Sequence, residues 1–176
     1  YKRQAKRKDG HSVLLHSTAH LMAQAVKRLF PKTKVTIGPF LENRFYYDFD
    51  VNSPFTEDDL LEIENEMMKI SQENLEISHQ EKSRNEALAF FEKIDESYKV
   101  EIINDLDKDE TLKVYSQGEF TDLCRGPHVH STGQIKHFKI LSSSAAYWRG
   151  DEKNQTLQRV YGTSFQNSKD LKLSLI

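Results

Sequence analysis

The chain has 176 residues, 37% hydrophobic and 30% charged, enough for one packed domain or two small lobes sharing an interface. No apolar run approaches a membrane span, no signal peptide is visible, and a net charge of −2 argues against gripping nucleic acid by bulk electrostatics. A lone cysteine, Cys124, excludes an internal disulfide framework and fits a reducing compartment.

Five of the first ten residues are Lys or Arg, so Tyr1 to Gly10 reads as a basic leader, a solvated tail or a linker. From Ser12 to Phe30 apolar residues recur every three or four positions (Leu15, Ala19, Met22, Ala23, Val26, Leu29), which predicts an amphipathic helix. Residues four apart lie on one helix face, so His16 and His20 point the same way. Two stacked imidazoles can ligate a metal or hold and activate a water; they can equally be buried rings satisfied by backbone carbonyls. A metalloprotease helix would need Glu after the first histidine, and Ser17 stands there.

Phe30-Pro31 stops the helix. Lys34 to Phe40 reads as a strand, Glu42-Asn43 as a hairpin tip, and Phe45 to Asp50 as a second strand with Phe45, Tyr47 and Phe49 on one face. Such a face is core, although a tyrosine in it can line a pocket with its hydroxyl. Thr56 with Asp59 is a capping signature, opening a helix that buries Leu60, Ile63, Met67 and Ile70. A strand over Glu73 to Glu81 follows. Ser83 with Glu86 then opens a helix burying Ala87, Leu88, Phe91 and Ile94. Tyr98 to Ile103 reads as a strand whose Lys99, if turned inward, is a cation that needs a partner. Thr111 to Tyr115 and Glu119 to Cys124 are strands about Gly118. Ile135 to Leu141 is a strand running into small residues, Trp148 to Asp151 a turn, Leu157 to Tyr161 a strand, and Lys169 to Ile176 the start of a helix. Arg149 and Arg159 are either solvated or contacts for an RNA end.

The second half of a site stands in Asp122-Leu123-Cys124-Arg125-Gly126-Pro127-His128. Gly126-Pro127 makes this a strand end entering a turn. Two helix nitrogens with one loop sulfur and one loop nitrogen form the inventory of a four-coordinate zinc site: His16, His20, Cys124 and His128. Asp122, two before Cys124 on an alternating strand, shares its face.

The pieces HSTAHLMAQAVKRLFP, TIGPF, FYYDFD, YKVEII, DLCRGPH and AYWRGDEKNQTLQRVYGTSF run in order from Ser12 to about Phe165. They resemble the editing domain of threonyl-tRNA synthetases, the second additional domain shared with alanyl-tRNA synthetases and free-standing deacylases. The resemblance implies an α+β fold, mainly antiparallel sheets with the His-bearing helix packed over a central cleft. The implied domain covers residues 11–168, with intertwined lobes near 11–82 and 83–168, between a leader at 1–10 and a connector helix from 169. The implied activity is hydrolysis of serine from mischarged threonine tRNA in the cytoplasm, within a longer synthetase that is homodimeric through a catalytic core this chain lacks. The partner is then the seryl-bearing 3′ acceptor end of tRNA(Thr), with no membrane. The resemblance assigns His16 and Lys99 to the attacking water, with His20 and His128 beside them. Asp122 would hold the seryl amine or hydroxyl, Tyr47 and Tyr115 would shape the pocket against an extra methyl, and Cys124 would line it. It implies a site that works without a metal, whereas spacing alone points to zinc. Alternatives are a zinc-dependent alanyl-type deacylase and a binding module for the acceptor end without turnover. Arg44 departs from the family pattern, standing where glycine is usual at the hairpin tip.

Overall fold

One long helix organises the chain. In the computed structural model, which describes residues 2–176 with side chains from Gly10 onward, α1 runs over Lys2–Leu29. It is longer than the expected Ser12–Phe30 segment: the backbone of the basic leader continues the helix, and Tyr1 lies outside the described residues. Between Leu14 and Val26 burial is nearly complete on every side, including Ser17, Thr18, His20 and Gln24. A helix buried all round lies between layers, and this one contacts the two-residue strand β2 (Phe40–Leu41), the strands β3 (Arg44–Asp50) and β8 (Thr156–Phe165), and the helix α2 (Glu57–Glu73).

The sheets on either side are antiparallel, as the α+β reading predicts. The larger has the order β1 (Lys34–Val35), β3, β8, β7 (His137–Tyr147), with β2 added beside β3. The smaller joins β4 (Ser78–Lys82), β5 (Leu112–Gln117) and β6 (Phe120–Leu123) in that order. Phe45, Tyr47 and Phe49 of β3 are fully buried beneath α1. The strand expected over Lys34 to Phe40 is broken in two. Pro39 has no N–H to give a ladder, and a Cβ on Gly38 would come within 2.3 Å of the Tyr47 ring. At the hairpin tip the left-handed residue is Glu42 (φ 50°); Arg44 is ordinary strand opposite Leu41, so it meets no special turn demand.

The cap of α2 forms in full: Thr56 accepts from Asp59 N–H while the Asp59 carboxylate accepts from Thr56 N–H. At α3 (Arg84–Lys93) Ser83 caps Glu86 N–H, but Glu86 bonds the Ser83 hydroxyl instead of its backbone. The largest correction falls on residues 98–103. Expected as a strand, they lie within α4 (Ser97–Asp105). Their apolar spacing suits either period, and the helical one buries Tyr98, Lys99 and Ile103 on one side. Short β-branched and aromatic runs follow tertiary context more than propensity. Ser142 to Ala146 belong to β7, which pairs with β8 as far as Tyr147 after a bulge between Ile140 and Ser142. A last helix, α5 (Ser168–Ser174), is capped by Asn167. No helix among the described residues is long and apolar enough to cross a membrane.

Candidate active site

Helix α1, helix α4, the loop before β2 and the end of β6 meet around a cleft of about 420 Å³. His16 and His20 from α1, Lys99 from α4, and Asp122 with Cys124 from the β6 end line it; Ile37, Pro39, Phe40, Ile102 and Leu106 form an apolar rim. His128 returns from the Gly126-Pro127 loop and packs against both α1 imidazoles, 4.8 Å from His16 and 4.3 Å from His20 between ring centroids. The helix half-site and the loop half-site thus converge.

Gly126 makes the return tight. It takes a left-handed conformation (φ 70°), and a Cβ there would overlap the Tyr115 hydroxyl at 1.9 Å. Tyr115 in turn stands edge-on to His128, with centroids 4.5 Å apart. Tyr47 is fully buried and donates its hydroxyl to Asp122 Oδ2 at 2.7 Å. Both tyrosines therefore stand behind the lining residues, bracing His128 and Asp122.

The site has a charged half and a neutral half. In the charged half Lys99 Nζ lies 2.5 Å from Asp122 Oδ1, both side chains almost wholly excluded from solvent. Lys99 also donates to the Thr36 carbonyl. The inward-facing cation that needs a partner has thus found one, from a helix instead of a strand. An ammonium has three N–H donors, and these contacts account for two of them. Asp122 also accepts Leu123 N–H and lies 3.5 Å from His20 Nε2.

In the neutral half Cys124 Sγ is 3.4 Å from His16 Nε2 and 3.1 Å from His128 Nε2, and accepts Gly126 N–H at 3.3 Å. Burial lowers His16 below the ordinary imidazole range, with Asp122 pulling the other way. Burial, then the neighbouring His16 and Lys99, hold His20 well below it. His128 is pushed down to about 2 by burial and by His20 and His16. Burial pushes the Cys124 thiol up to about 11, against the opposing Gly126 N–H. At neutral pH the cluster is therefore three neutral imidazoles around a protonated thiol, with no thiolate nucleophile.

One ligand atom from each of His16, His20, Cys124 and His128 can be chosen so that all lie within 4.8 Å of one another. Donors around a tetrahedral zinc stand about 3.3–3.7 Å apart, from ion–ligand lengths of roughly 2.0–2.3 Å. In donor type and spacing the four fit such an ion after small inward shifts.

Three contributors carry no motif signal. Thr36 offers only a carbonyl. Glu96, nearly fully buried at the start of α4, accepts from Lys27 Nζ at 2.8 Å and Val35 N–H at 3.0 Å, which orients the helix bearing Lys99. Ser17 accepts Val129 N–H at 3.0 Å and stands 2.9 Å from His128 Nδ1. Its place between the two α1 histidines was the only available cue. Arg149 and Arg159 lie off the cleft, Arg149 against Asp105 and the Trp148 ring, Arg159 bidentate on Asp48 and over Tyr46.

Over 167 residues the chain is 53% identical to a threonine–tRNA ligase of Magnetococcus marinus, covering 95% of the chain and 26% of that protein. It is 55% identical over 170 residues to the threonine–tRNA ligase of Pelobacter propionicus, covering 97% of the chain and 27% of the relative. With that of Anoxybacillus flavithermus it shares 57% identity over 159 residues, covering 90% and 25%. The chain thus spans about a quarter of the length of these relatives. Residues 112–161, which carry the Asp122–His128 half-site, match the family described as the threonyl and alanyl tRNA synthetase second additional domain.

Proposed function

We propose that this domain hydrolyses the ester of seryl-tRNA(Thr), acting as the proofreading part of a longer threonyl-tRNA synthetase. One observation carries the reading: a buried lysine–aspartate pair and a neutral imidazole–thiol cluster line one open cleft, and its half-site at residues 122–128 falls within the segment that matches the second-additional-domain family.

An aminoacyl ester is an activated acyl group, so a positioned water and a nearby base suffice. His16, neutral and facing the cleft, takes a proton from the water as its oxygen bonds to the acyl carbon. The remaining N–H of Lys99 orients that water and steadies the negative charge developing on the carbonyl oxygen. When the acyl–oxygen bond breaks, the proton passes to the departing ribose oxygen, leaving serine and uncharged tRNA. Asp122 keeps Lys99 extended and presents negative charge to the seryl ammonium. His20 and His128 hold the α1 face and the loop in register. One methyl separates serine from threonine, a difference worth about 1–3 kcal/mol in a single binding step, and a second site that admits only the smaller residue raises the total discrimination.

If zinc were bound, His16, His20, Cys124 and His128 would hold it, and it would supply Lewis-acid activation of a water only if one of the four stood aside. Four protein donors already fill a tetrahedral ion, whereas catalytic zinc sites keep one position open. That favours hydrolysis by the side chains themselves.

The test is incubation of the chain with seryl-tRNA(Thr) and threonyl-tRNA(Thr), with and without a chelator. Release of serine that survives the chelator, with threonine retained, is the expected result. Activity lost to the chelator would replace this reading with the zinc-dependent alanyl type, and absence of release with tight binding would replace it with a non-catalytic module. A folded His16→Ala variant should lose serine release by about a hundredfold or more; wild-type rates in it would remove His16 from the mechanism.

A further inference from the structure

We infer that Ser17 is a positioning residue that fixes His128 in the tautomer with its proton on Nε2, and so sets the direction of a hydrogen-bond chain ending at His16. The assignment follows from counting protons. Ser17 is fully buried. Its oxygen accepts Val129 N–H at 3.0 Å, and among the described residues its other neighbour in hydrogen-bond range is His128 Nδ1 at 2.9 Å. Val129 N is a donor, so His128 Nδ1 alone can accept the hydroxyl proton. Were Nδ1 protonated, the Ser17 proton would be a buried donor without a partner, a costly arrangement. The hydroxyl therefore donates to Nδ1, and the neutral ring carries its proton on Nε2.

The consequences run down the cluster. His128 Nε2–H points at Cys124 Sγ, 3.1 Å away, and Gly126 N–H reaches the same sulfur at 3.3 Å. With two donors on the sulfur, the thiol's own proton is directed to the remaining neighbour, His16, whose Nε2 is 3.4 Å off; the attacking water displaces this weak S–H donor from Nε2 when His16 acts as its base. The chain thus reads Val129 N–H to Ser17 O–H, to His128, to Cys124 S–H, to His16. Without the Ser17 hydroxyl, His128 is free to carry its proton on Nδ1. Its bare Nε2 then competes with His16 for the thiol proton, and the orientation of His16 is lost two residues away. This catalytic consequence rests on the hydrolytic reading above; the tautomer does not.

The experiment uses the whole chain, labelled with 15N-histidine and treated with chelator, and reads long-range 1H–15N correlations of the imidazoles. The His128 signals are assigned by their disappearance in His128→Gln. Wild type should show His128 protonated on Nε2 with Nδ1 bare. Ser17→Ala should shift it toward the Nδ1-protonated form and lower kcat for seryl-tRNA(Thr) about tenfold, with KM changed less than about twofold, as losses of an orienting partner commonly do. Ser17→Thr, which keeps a hydroxyl, should keep the wild-type tautomer. A proton on Nδ1 in the wild type overturns the inference whatever the variants do, as does an unchanged tautomer in folded Ser17→Ala. A shifted tautomer with unchanged kcat overturns the link to His16. Should the wild type release no serine, the hydrolytic reading falls, and the spectra still decide the role of Ser17.

Discussion

Two groups of charges touch α1, and they differ in almost everything that determines what a charge is worth. Lys99 and Asp122 meet at 2.5 Å with side chains 3% and 2% exposed. Arg28, about two turns further along α1 from His20, gathers Glu119 at 2.5 Å, Glu73 at 2.7 Å and Glu66 at 3.4 Å, but it is 25% exposed and two of those acids are 43% and 55% exposed. The Arg28 cluster has more partners and equally short contacts. The single buried pair nevertheless matters more, because water screens the Arg28 cluster and cannot compensate the buried pair if one partner is removed. Contact geometry alone would have ranked them the other way.

The sharpest way to break that contrast is Lys99→Met. It strands the Asp122 carboxylate in the interior, and the expected cost is about 3–5 kcal/mol in urea unfolding, together with loss of serine release. Lys99→Met combined with Asp122→Leu should recover most of the stability and none of the activity. A single variant that unfolds within about 1 kcal/mol of wild type would show that the pair is not the buried anchor described here.

Lys99 also marks where sequence reading succeeded and failed. The convergence of His16 and His20 with Cys124 and His128 was legible, since an i, i+4 spacing on a strongly periodic helix and a Gly-Pro turn constrain direction whatever packs around them. The caps at Thr56 and Ser83 and the aromatic face of β3 were legible for the same local reasons, whereas the antiparallel sheets came from the family resemblance. The secondary structure around Lys99 was not. Tyr98 to Ile103 is too short for its apolar period to separate strand from helix, and what decides it is a distant partner, Glu96 reaching across to Lys27 and Val35. For the same reason the pairing of Asp122 was invisible: its partners Tyr47 and Lys99 lie 75 and 23 positions away along the chain.

A gentler probe of the buried half is Tyr47→Phe, which removes one hydroxyl from Asp122 without changing the shape of the core. Hydrogen bonds to a charged group are worth about 1.5–3 kcal/mol, and this one, 2.7 Å long and fully buried, should fall in that range. A loss below about 0.5 kcal/mol in thermal or urea unfolding would mean that water or another donor replaces the hydroxyl and that the cleft floor is wetter than its burial implies.

The neutral half sets an acid limit. His16, His20 and His128 all titrate below the ordinary value of 6.5 in the folded state. As the pH falls below about 6.5, the unfolded chain takes up protons that the folded chain refuses, so stability is full above that value and drains away toward the folded-state values. Each such histidine contributes up to about 1.4 kcal/mol per pH unit. His128→Gln should therefore flatten the slope of unfolding free energy between about pH 5 and 6 by roughly that amount. An unchanged slope would mean that His128 is protonated in the folded protein, which would also undo the neutral-cluster picture of the site.

The smallest effect belongs to the group with the most contacts. Arg28→Gln removes three ion pairs at once, and Glu119 loses the partner that holds its carboxyl below the usual range. Because Glu73 and Glu119 regain hydration when the guanidinium leaves, the expected loss is about 1 kcal/mol or less at low salt and close to nothing at about 1 M salt, where the screening length is roughly 3 Å. Lys99→Met should show no comparable salt dependence, since solvent ions do not reach its partner. Equal salt sensitivity in the two variants would erase the distinction between the screened and the buried charges, and with it the reason for placing the chemistry of this domain at Lys99 rather than at the better-connected arginine.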